Sequence, residues 1–249
     1  MENKLEGKIA VITGGGSGIG LATAKRFVLE GAYVFIIDRN KKELDLALSE
    51  IGKNIVGIEG DVSNLADLDK LFSIVKDKKG QFDILFANAG IIRYVPLAEI
   101  SQEHFYNLFD INVKGVLFTV QKALPIFRDG GSIILNASIG ASKASEGLTV
   151  YSASKAAVRS FARTWTIELK KRKIRVNAVS PGSIDTPIFS PFMSQKEYEQ
   201  FKNNVAKTIP MGRMGDPDEV AKAVSFLASD DSSYITGIEL FVDGGVAQI

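Results

Sequence analysis

The sequence predicts a single-domain α/β protein, a doubly wound parallel sheet of about seven strands flanked by helices. Two observations carry that expectation. Short apolar, β-branched runs recur along most of the 249 residues, and between them lie longer stretches whose apolar residues follow helical spacing. Strands that read as continuous apolar runs are buried on both faces, so their alternation with helices calls for a parallel sheet covered on each side and joined by right-handed crossovers.

The elements follow in order. The run 9–12 leads into glycines and then a helix-like stretch, 21–30. The run 33–37 precedes a stretch in which Leu44, Leu48 and Ile51 share a helical face, and 55–58 precedes one marked by Leu68, Leu71 and Val75. Runs 84–87, 133–135, 174–179 and 239–242 supply the remaining strands. Ahead of Val220, Val224 and Leu227 stand Asp216 as a capping residue, Pro217 as a first-turn proline and Glu219 as an acid at the third helical position. No Pro/Ser-rich linker, repeat or low-complexity tract interrupts this alternation, so residues 1–249 read as one domain. Its least regular stretch, about 187–214, is expected to form a substrate loop or lid.

Composition removes several function classes. With 30 basic and 29 acidic side chains the formal charge is +1, which offers no electrostatic footprint for nucleic acid. There is no cysteine, hence no disulfide, iron–sulfur cluster or thiol nucleophile, and the single histidine, His104, leaves no ordinary zinc site, so no metal is expected. The longest apolar run, 32–37, falls far short of the ~20 residues a membrane helix needs, and the run 9–12 is too short for a signal-peptide core. A cytoplasmic protein with no membrane partner is expected.

After the first strand comes Thr13-Gly14-Gly15-Gly16-Ser17-Gly18-Ile19-Gly20, and then a helix. The spacing is TGxxxGxG, neither GxGxxG nor a Walker loop, since Leu21 rather than lysine follows Gly20. Glycines let the backbone approach a pyrophosphate, and the helix N-terminus offers unpaired N–H groups and a favourable dipole. Between a first strand and a first helix, such a turn reads as a dinucleotide loop. Asp38 closes the second strand, where a carboxylate can accept both hydroxyls of an adenosine ribose and repel a 2′-phosphate. This favours NAD(H). The neighbouring Arg39 can hold a 2′-phosphate, so NADP(H) stays open.

Tyr151 and Lys155 stand at i and i+4 in Tyr-Ser-Ala-Ser-Lys, on one face of a helix. A second pair, Tyr198 and Lys202, has the same spacing. Context separates them. Tyr151 opens a long helical stretch, and Ser138 lies just past the end of strand 133–135, on the side of a parallel sheet where ligands bind. Tyr198 has neither feature and is set aside.

Over its whole length the chain resembles the short-chain dehydrogenase/reductase family. The matching pieces are Thr13 to Gly20, Asp38, Asp61-Val62, Asn88-Ala89-Gly90, Asn112, Ser138, Tyr151 with Lys155, Pro181-Gly182 with Thr186, and Val242-Asp243-Gly244-Gly245. The resemblance implies a Rossmann fold and a catalytic tetrad of Ser138, Tyr151, Lys155 and Asn112, with Asn112 connecting Lys155 to solvent through water. It implies cofactor contacts at Gly14, Ser17, Gly18, Ile19, Gly20, Asp38, Asp61, Val62, Asn88, Ala89, Gly90, Tyr151, Lys155, Pro181, Gly182, Ile184 and Thr186. Among these, Asp61 and Val62 would meet the adenine and Thr186 the nicotinamide amide.

The residue types suit that chemistry. Hydride transfer to a ketone leaves negative charge on oxygen, and the Tyr151 phenol can supply the proton. Its reference pKa of ~10 is high for the reverse direction, and an ammonium at Lys155 would stabilise the phenolate. Ser138 would hold the substrate oxygen.

Other signals are set aside. Asn136-Ala137-Ser138 matches a glycosylation acceptor but sits at a buried strand end. The basic run Lys170-Lys171-Arg172-Lys173 with Arg175 is read as cations beside the carbonyl end of the Tyr151 helix. His104 is read as a helix-surface residue. A non-enzymatic dinucleotide sensor or scaffold has no use for Ser138, Tyr151 and Lys155 in register, and an epimerase or dehydratase lacks room for a nucleotide-sugar domain. The substrate pocket is expected between residues 139–148, Arg93 with Tyr94, and 187–211, where Phe189, Phe192, Met193, Phe201 and Met211 favour a hydrophobic ketone or secondary alcohol. Arg93 could instead recognise a carboxylate or phosphate. The resemblance also implies a homotetramer pairing two long helices, near 104–127 and 151–171.

Overall fold

The computed structural model describes residues 3–187 and 194–247. Seven strands form one parallel sheet: β1 (Ile9–Thr13), β2 (Tyr33–Asp38), β3 (Ile55–Glu59), β4 (Phe82–Ala87), β5 (Phe127–Asn136), β6 (Arg175–Pro181) and β7 (Glu239–Val242). Their order is β3-β2-β1-β4-β5-β6-β7. The chain reverses its direction of travel between β1 and β4, which opens a crevice at the carboxyl ends of those strands.

Eight α-helices stand among the described residues: α1 (Gly18–Leu29), α2 (Lys41–Ile51), α3 (Leu65–Lys79), α4 (Gln102–Phe109), α5 (Val116–Ala123), α6 (Thr149–Glu168), α7 (Gln195–Ala206) and α8 (Pro217–Ala228). Alternate strand residues feed two cores. Val11, Phe35 and Ile37 meet Leu68, Leu71 and Val75 of α3, with Val120 of α5 and Val158 of α6 in the same cluster. Ala10, Ile12, Val34 and Ile36 turn the other way, towards Phe27 of α1, Leu44 of α2 and Val220, Val224 and Leu227 of α8. Each large aliphatic or aromatic side chain buried in this way contributes roughly 1.5–3 kcal/mol.

Helix ends follow the sequence signals. Asp216 accepts from the Asp218 N–H, Glu219 reaches back to the Asp216 N–H, and Pro217 occupies the first turn of α8. Asn40, Asn64 and Ser101 cap α2, α3 and α4 with their side chains.

Three sequence expectations shift. Strands β4 and β5 begin earlier than the apolar runs indicate, because β4 carries a buried acid. Asp83 accepts the Ile9 N–H at 2.8 Å and pairs with Arg128 at 3.2 Å, so polar residues belong to the sheet there. The long helix expected near 104–127 is interrupted: α4 and α5 are joined by a π-helical segment, Asp110–Gly115, which contains Asn112. The arginines of the basic run serve other elements than their own helix. Arg172 donates to the Leu124 carbonyl at 2.8 Å, just past α5, and Arg175 donates to the Leu227 and Ser229 carbonyls at the end of α8.

Candidate active site

The glycine loop runs from β1 to α1. A Cβ at Gly20 would stand 1.9 Å from the Gly14 carbonyl oxygen, and Gly14 itself has φ +64°, so both positions require glycine. Ser17 precedes α1 in extended conformation without a side-chain cap, which leaves the first-turn N–H groups of Gly18, Ile19 and Gly20 for an anionic ligand. The loop is held from below. Thr13 Oγ1 accepts the N–H groups of Asn88 and Ala89, each at 3.0 Å, while Asn88 Nδ2 donates to the carbonyls of Thr13 and Gly14 at 3.0 and 3.1 Å.

Asp38 ends β2 beside this loop. Its Oδ2 accepts the Gly16 N–H at 3.0 Å and its Oδ1 the Asn40 N–H at 2.9 Å. Each oxygen keeps a second lone pair, enough for two ribose hydroxyls. Arg39 points to Asp61, with 3.9 Å between Nη1 and Oδ2. Asp61 also accepts from the N–H and Oγ of Ser63, and Val62 is buried against the position of Gly115.

Ser138 follows β5 and Tyr151 opens α6. The Ser138 hydroxyl faces the Tyr151 phenol and accepts the Gly140 N–H at 3.1 Å. A Cβ at Gly140 would lie 3.4 Å from Ser138 Oγ and 3.5 Å from Tyr151 Cε1, so glycine keeps this wall open. Burial pushes the Tyr151 phenol up from its ordinary value, the Ser138 hydroxyl draws it down, and a charge on Tyr94 would raise it further. Lys155, only 4% exposed, donates to the Asn136 carbonyl at 2.8 Å and stands 5.8 Å from the Tyr151 ring centre. Burial lowers its pKa to about 8.

Asn112 is fully buried in the π-helical segment. Its Oδ1 accepts the Ile91 N–H and its Nδ2 donates to the Ile91 carbonyl, both at 2.9 Å, with a further bond to Ser154 Oγ at 3.1 Å. The side chain therefore fastens the segment after Gly90. A Cβ at Gly90 would stand 3.2 Å from Asn112 Oδ1 and 3.3 Å from Lys155 Nζ, which places all three at one point.

Beyond β6, Gly182 packs on Asp243, and the Ile184 side chain turns into the core, leaving its backbone to the cleft. Thr186 reaches the glycine loop, where a Cβ at Gly18 would be 3.4 Å from its Cβ and Cγ2. Tyr94 packs near Gly147, and the two segments are joined by a Val95 N–H to Gly147 carbonyl bond of 2.9 Å. Met211, expected in the substrate pocket, is largely exposed and lines a cavity of about 310 Å³ with Ser183, Arg213, Glu219, Phe241 and Gly244. The Gly244 carbonyl accepts its N–H, which draws it to the end of β7. Phe189, Phe192 and Met193 lie outside the described residues.

Three supporting residues escaped sequence reasoning. Asn136 offers its carbonyl to Lys155 and its side-chain amide to Asn88 Oδ1 at 2.9 Å. Ser154 links Asn112 to the Tyr151 carbonyl. Asp185 takes up the set-aside pair, accepting from Tyr198 Oη at 2.6 Å and Lys202 Nζ at 2.7 Å. A backbone carbonyl has no sequence signature; an acid preceding a Tyr/Lys pair on the next helix was the available signal.

The family described as Enoyl-(Acyl carrier protein) reductase matches residues 14–247. An oxidoreductase of Sarocladium schorii, asL5, is 46% identical over 248 residues, covering 99% of this chain and 98% of that protein. The chain belongs to the short-chain dehydrogenase/reductase family. It is also similar to the 3-oxoacyl-[acyl-carrier-protein] reductase FabG of Thermotoga maritima, at 40% identity over 98% of this chain and 99% of that one. Among solved structures, a 3-ketoacyl-(acyl-carrier-protein) reductase from Brucella melitensis complexed with NADH superposes with a TM-score of 0.90 at 38% identity, covering 98% and 99% of the two chains. As a short-chain dehydrogenase/reductase, the protein is an oxidoreductase of CH–OH groups that works with a nicotinamide cofactor. Among the described residues no helix is long and apolar enough to cross a membrane, and no cluster of His, Asp and Glu could hold a metal ion.

Proposed function

We propose that the protein transfers hydride between NAD(H) and a hydrophobic ketone or secondary alcohol, with Tyr151 as the general acid and base. The observation that supports this most directly is that Ser138 Oγ and the Tyr151 ring flank the same point at Gly140 while the buried Lys155 stands beside the ring, all at the carboxyl end of the sheet. The residues fit a dinucleotide: the absence of a Cβ at Gly14 and Gly20 lets the loop fold tightly on itself and on the Asn88 segment ahead of the first turn of α1, and Asp38 presents both carboxylate oxygens beside it. Gly14, Ser17, Gly18, Ile19 and Gly20 would hold the pyrophosphate, Asp38 the adenosine ribose, Asp61 and Val62 the adenine. Asn88, Ala89, Gly90, Pro181, Gly182, the Ile184 backbone and Thr186 would border the nicotinamide half. The cofactor supplies the hydride.

The chain's own residues handle the proton. In reduction, Tyr151 Oη gives a proton to the carbonyl oxygen as negative charge develops there, while Ser138 Oγ holds that oxygen in place. The resulting phenolate is costly in a buried site unless a cation stands near, and Lys155 provides one. Burial disfavours each charge alone, so the phenolate forms best with the ammonium beside it. In oxidation the same phenolate accepts the alcohol proton. Asn112 is a positioning residue, fixing Ile91 and, through Ser154, the first turn of α6.

Asp38 supports a preference for NAD(H): a 2′-phosphate would meet its carboxylate, while Arg39 is drawn towards Asp61. The carbonyl substrates named for the reductases of Thermotoga and Brucella agree with a ketone. Residues of about 187–214 are assigned to a substrate loop, and a homotetramer fits the exposed Phe105 and Tyr106 of α4 and Ile167 of α6. A panel of aryl ketones, β-keto esters, sugars and steroid-like ketones with NADH and NADPH tests the reading. Turnover of the hydrophobic ketones with NADH is expected; cofactor binding without turnover of any carbonyl would replace it with a sensor.

A further inference from the structure

The second Tyr-xxx-Lys pair has a place in the fold that suggests a role of its own. After β6, the backbone is pinned in steps: the Gly182 N–H bonds to the Val242 carbonyl at 3.0 Å, the Gly215 N–H to the Ser183 carbonyl at 3.0 Å, and the Asp185 N–H to the Gly215 carbonyl at 2.9 Å. Thr186, next in the chain, meets the glycine loop at Gly18. What holds the chain there comes from α7. Tyr198 Oη donates to Asp185 Oδ1 at 2.6 Å and Lys202 Nζ pairs with Asp185 Oδ2 at 2.7 Å, so each carboxylate oxygen is taken by a different turn of one helix.

We propose that Tyr198 and Lys202, acting through Asp185, are positioning residues that set Thr186 for the nicotinamide end of the cofactor. The inference rests on the cofactor site proposed above. Three further features support it. The Thr186 backbone N–H also faces the Tyr198 phenol oxygen, and Thr186 directly follows the residue the strut grips. Lys202 and then Tyr198 hold the Asp185 carboxyl below the usual carboxylate range, which keeps it an anion throughout the neutral region. No residue of α7 is fully buried, and two of its polar side chains converge on Asp185. Two charged or charge-assisted bonds on one carboxylate are strong enough to fix a loop that would otherwise sample several positions. The strut stands far from proton transfer in role: it shares no contact with Ser138, Tyr151 or Lys155 among the described residues.

The test is equilibrium binding of NADH and of ADP-ribose, which lacks the nicotinamide ring, to the full-length protein and to Asp185→Ala, Asp185→Asn and Tyr198→Phe. Asp185→Ala should raise the NADH Kd about five- to tenfold, the equivalent of roughly one net hydrogen bond, and leave ADP-ribose binding within about twofold. Asp185→Asn keeps an acceptor for Tyr198 and should fall between; Tyr198→Phe keeps the ring and should raise the NADH Kd by about threefold. At saturating NADH, kcat should stay within about twofold of the parent, giving a change in cofactor KM without one in kcat. Unchanged NADH binding in Asp185→Ala would overturn the inference, and so would equal weakening of NADH and ADP-ribose, which would signal general loosening of the site. A parent protein that binds neither ligand would instead overturn the cofactor site itself and, with it, this role. Asp185 is exposed, and comparison of thermal midpoints checks that the variants fold.

Discussion

The molecule contains two tyrosine–lysine pairs of the same spacing, and their surroundings shift the two lysines in opposite directions. Tyr151 and Lys155 stand on a helix packed against the sheet, and among the described residues no carboxylate bonds to either. Burial lowers Lys155 to about 8, towards the neutral range, and pushes Tyr151 up, so the phenol rests protonated beside a lysine whose proton is held less firmly than usual. Tyr198 and Lys202 share Asp185. Burial and then the acid push the Tyr198 phenol up, and Asp185 holds Lys202 above its ordinary value, so both protons are locked in place. The lesson is that the motif supplies only a shared helix face. Whether it becomes an acid–base device or a strut is decided by whether an acid is built beside it.

The largest test of this contrast is Tyr151→Phe. It should lower kcat by roughly 10²–10⁴-fold, the range for a positioned general acid, with NADH affinity nearly intact. Tyr198→Phe should leave the single-turnover rate of hydride transfer at saturating NADH unchanged. Rapid-mixing traces of NADH absorbance separate the two, and equal losses would erase the distinction.

Next comes the stability of Lys155→Met against pH. The parent's Lys155 has a folded pKa of about 8 and an ordinary value of 10.5, so below pH 8 it is charged in both states and carries its full burial penalty. Between about 8 and 10.5 the unfolded chain binds the extra proton, and the parent's stability rises with pH relative to the variant. Denaturant melts from pH 7 to 10 should show that slope, worth a few kcal/mol by linkage. The partner experiment, Lys202→Met, should give no slope in this window, because Asp185 holds that lysine protonated there.

A smaller effect is expected at Asp38. Asp38→Ala should narrow the preference for NADH over NADPH by about tenfold, a single hydrogen-bonded charge being worth this much. An unchanged ratio of kcat/KM for the two cofactors would leave Asp38 as a loop-holding residue only, a role visible in its bond to Gly16.

Much of this was legible in the residues themselves. Val220, Val224 and Leu227 announced the buried face of α8, and the Asp216–Glu219 signature its first turn, because periodicity and capping are local. The candidate site was legible where the proposed chemistry calls for a particular side chain, as at Ser138, Tyr151 and Asp38. It was opaque where the contribution is a carbonyl, as at Asn136, or where the partner is reached through tertiary structure, as with Asp185 and the second pair. Asp83 hid the start of β4 because a buried acid satisfied by the Ile9 N–H reads as a break in an apolar run.

The π-helical segment at Asp110–Gly115 amounts to an insertion stored within a helix. Such a turn takes in more chain than a regular one, so α4 and α5 present their faces out of phase and Asn112 turns inward to grip Ile91. Shortening the segment by one residue would let the helix run through in ordinary pitch, with better-formed backbone bonds and no grip on Ile91. The deletion variant should keep its helical circular dichroism and lose turnover. Irregularity at this point is thus a heritable spacing element, and evolution can adjust the active site by counting residues as well as by changing them.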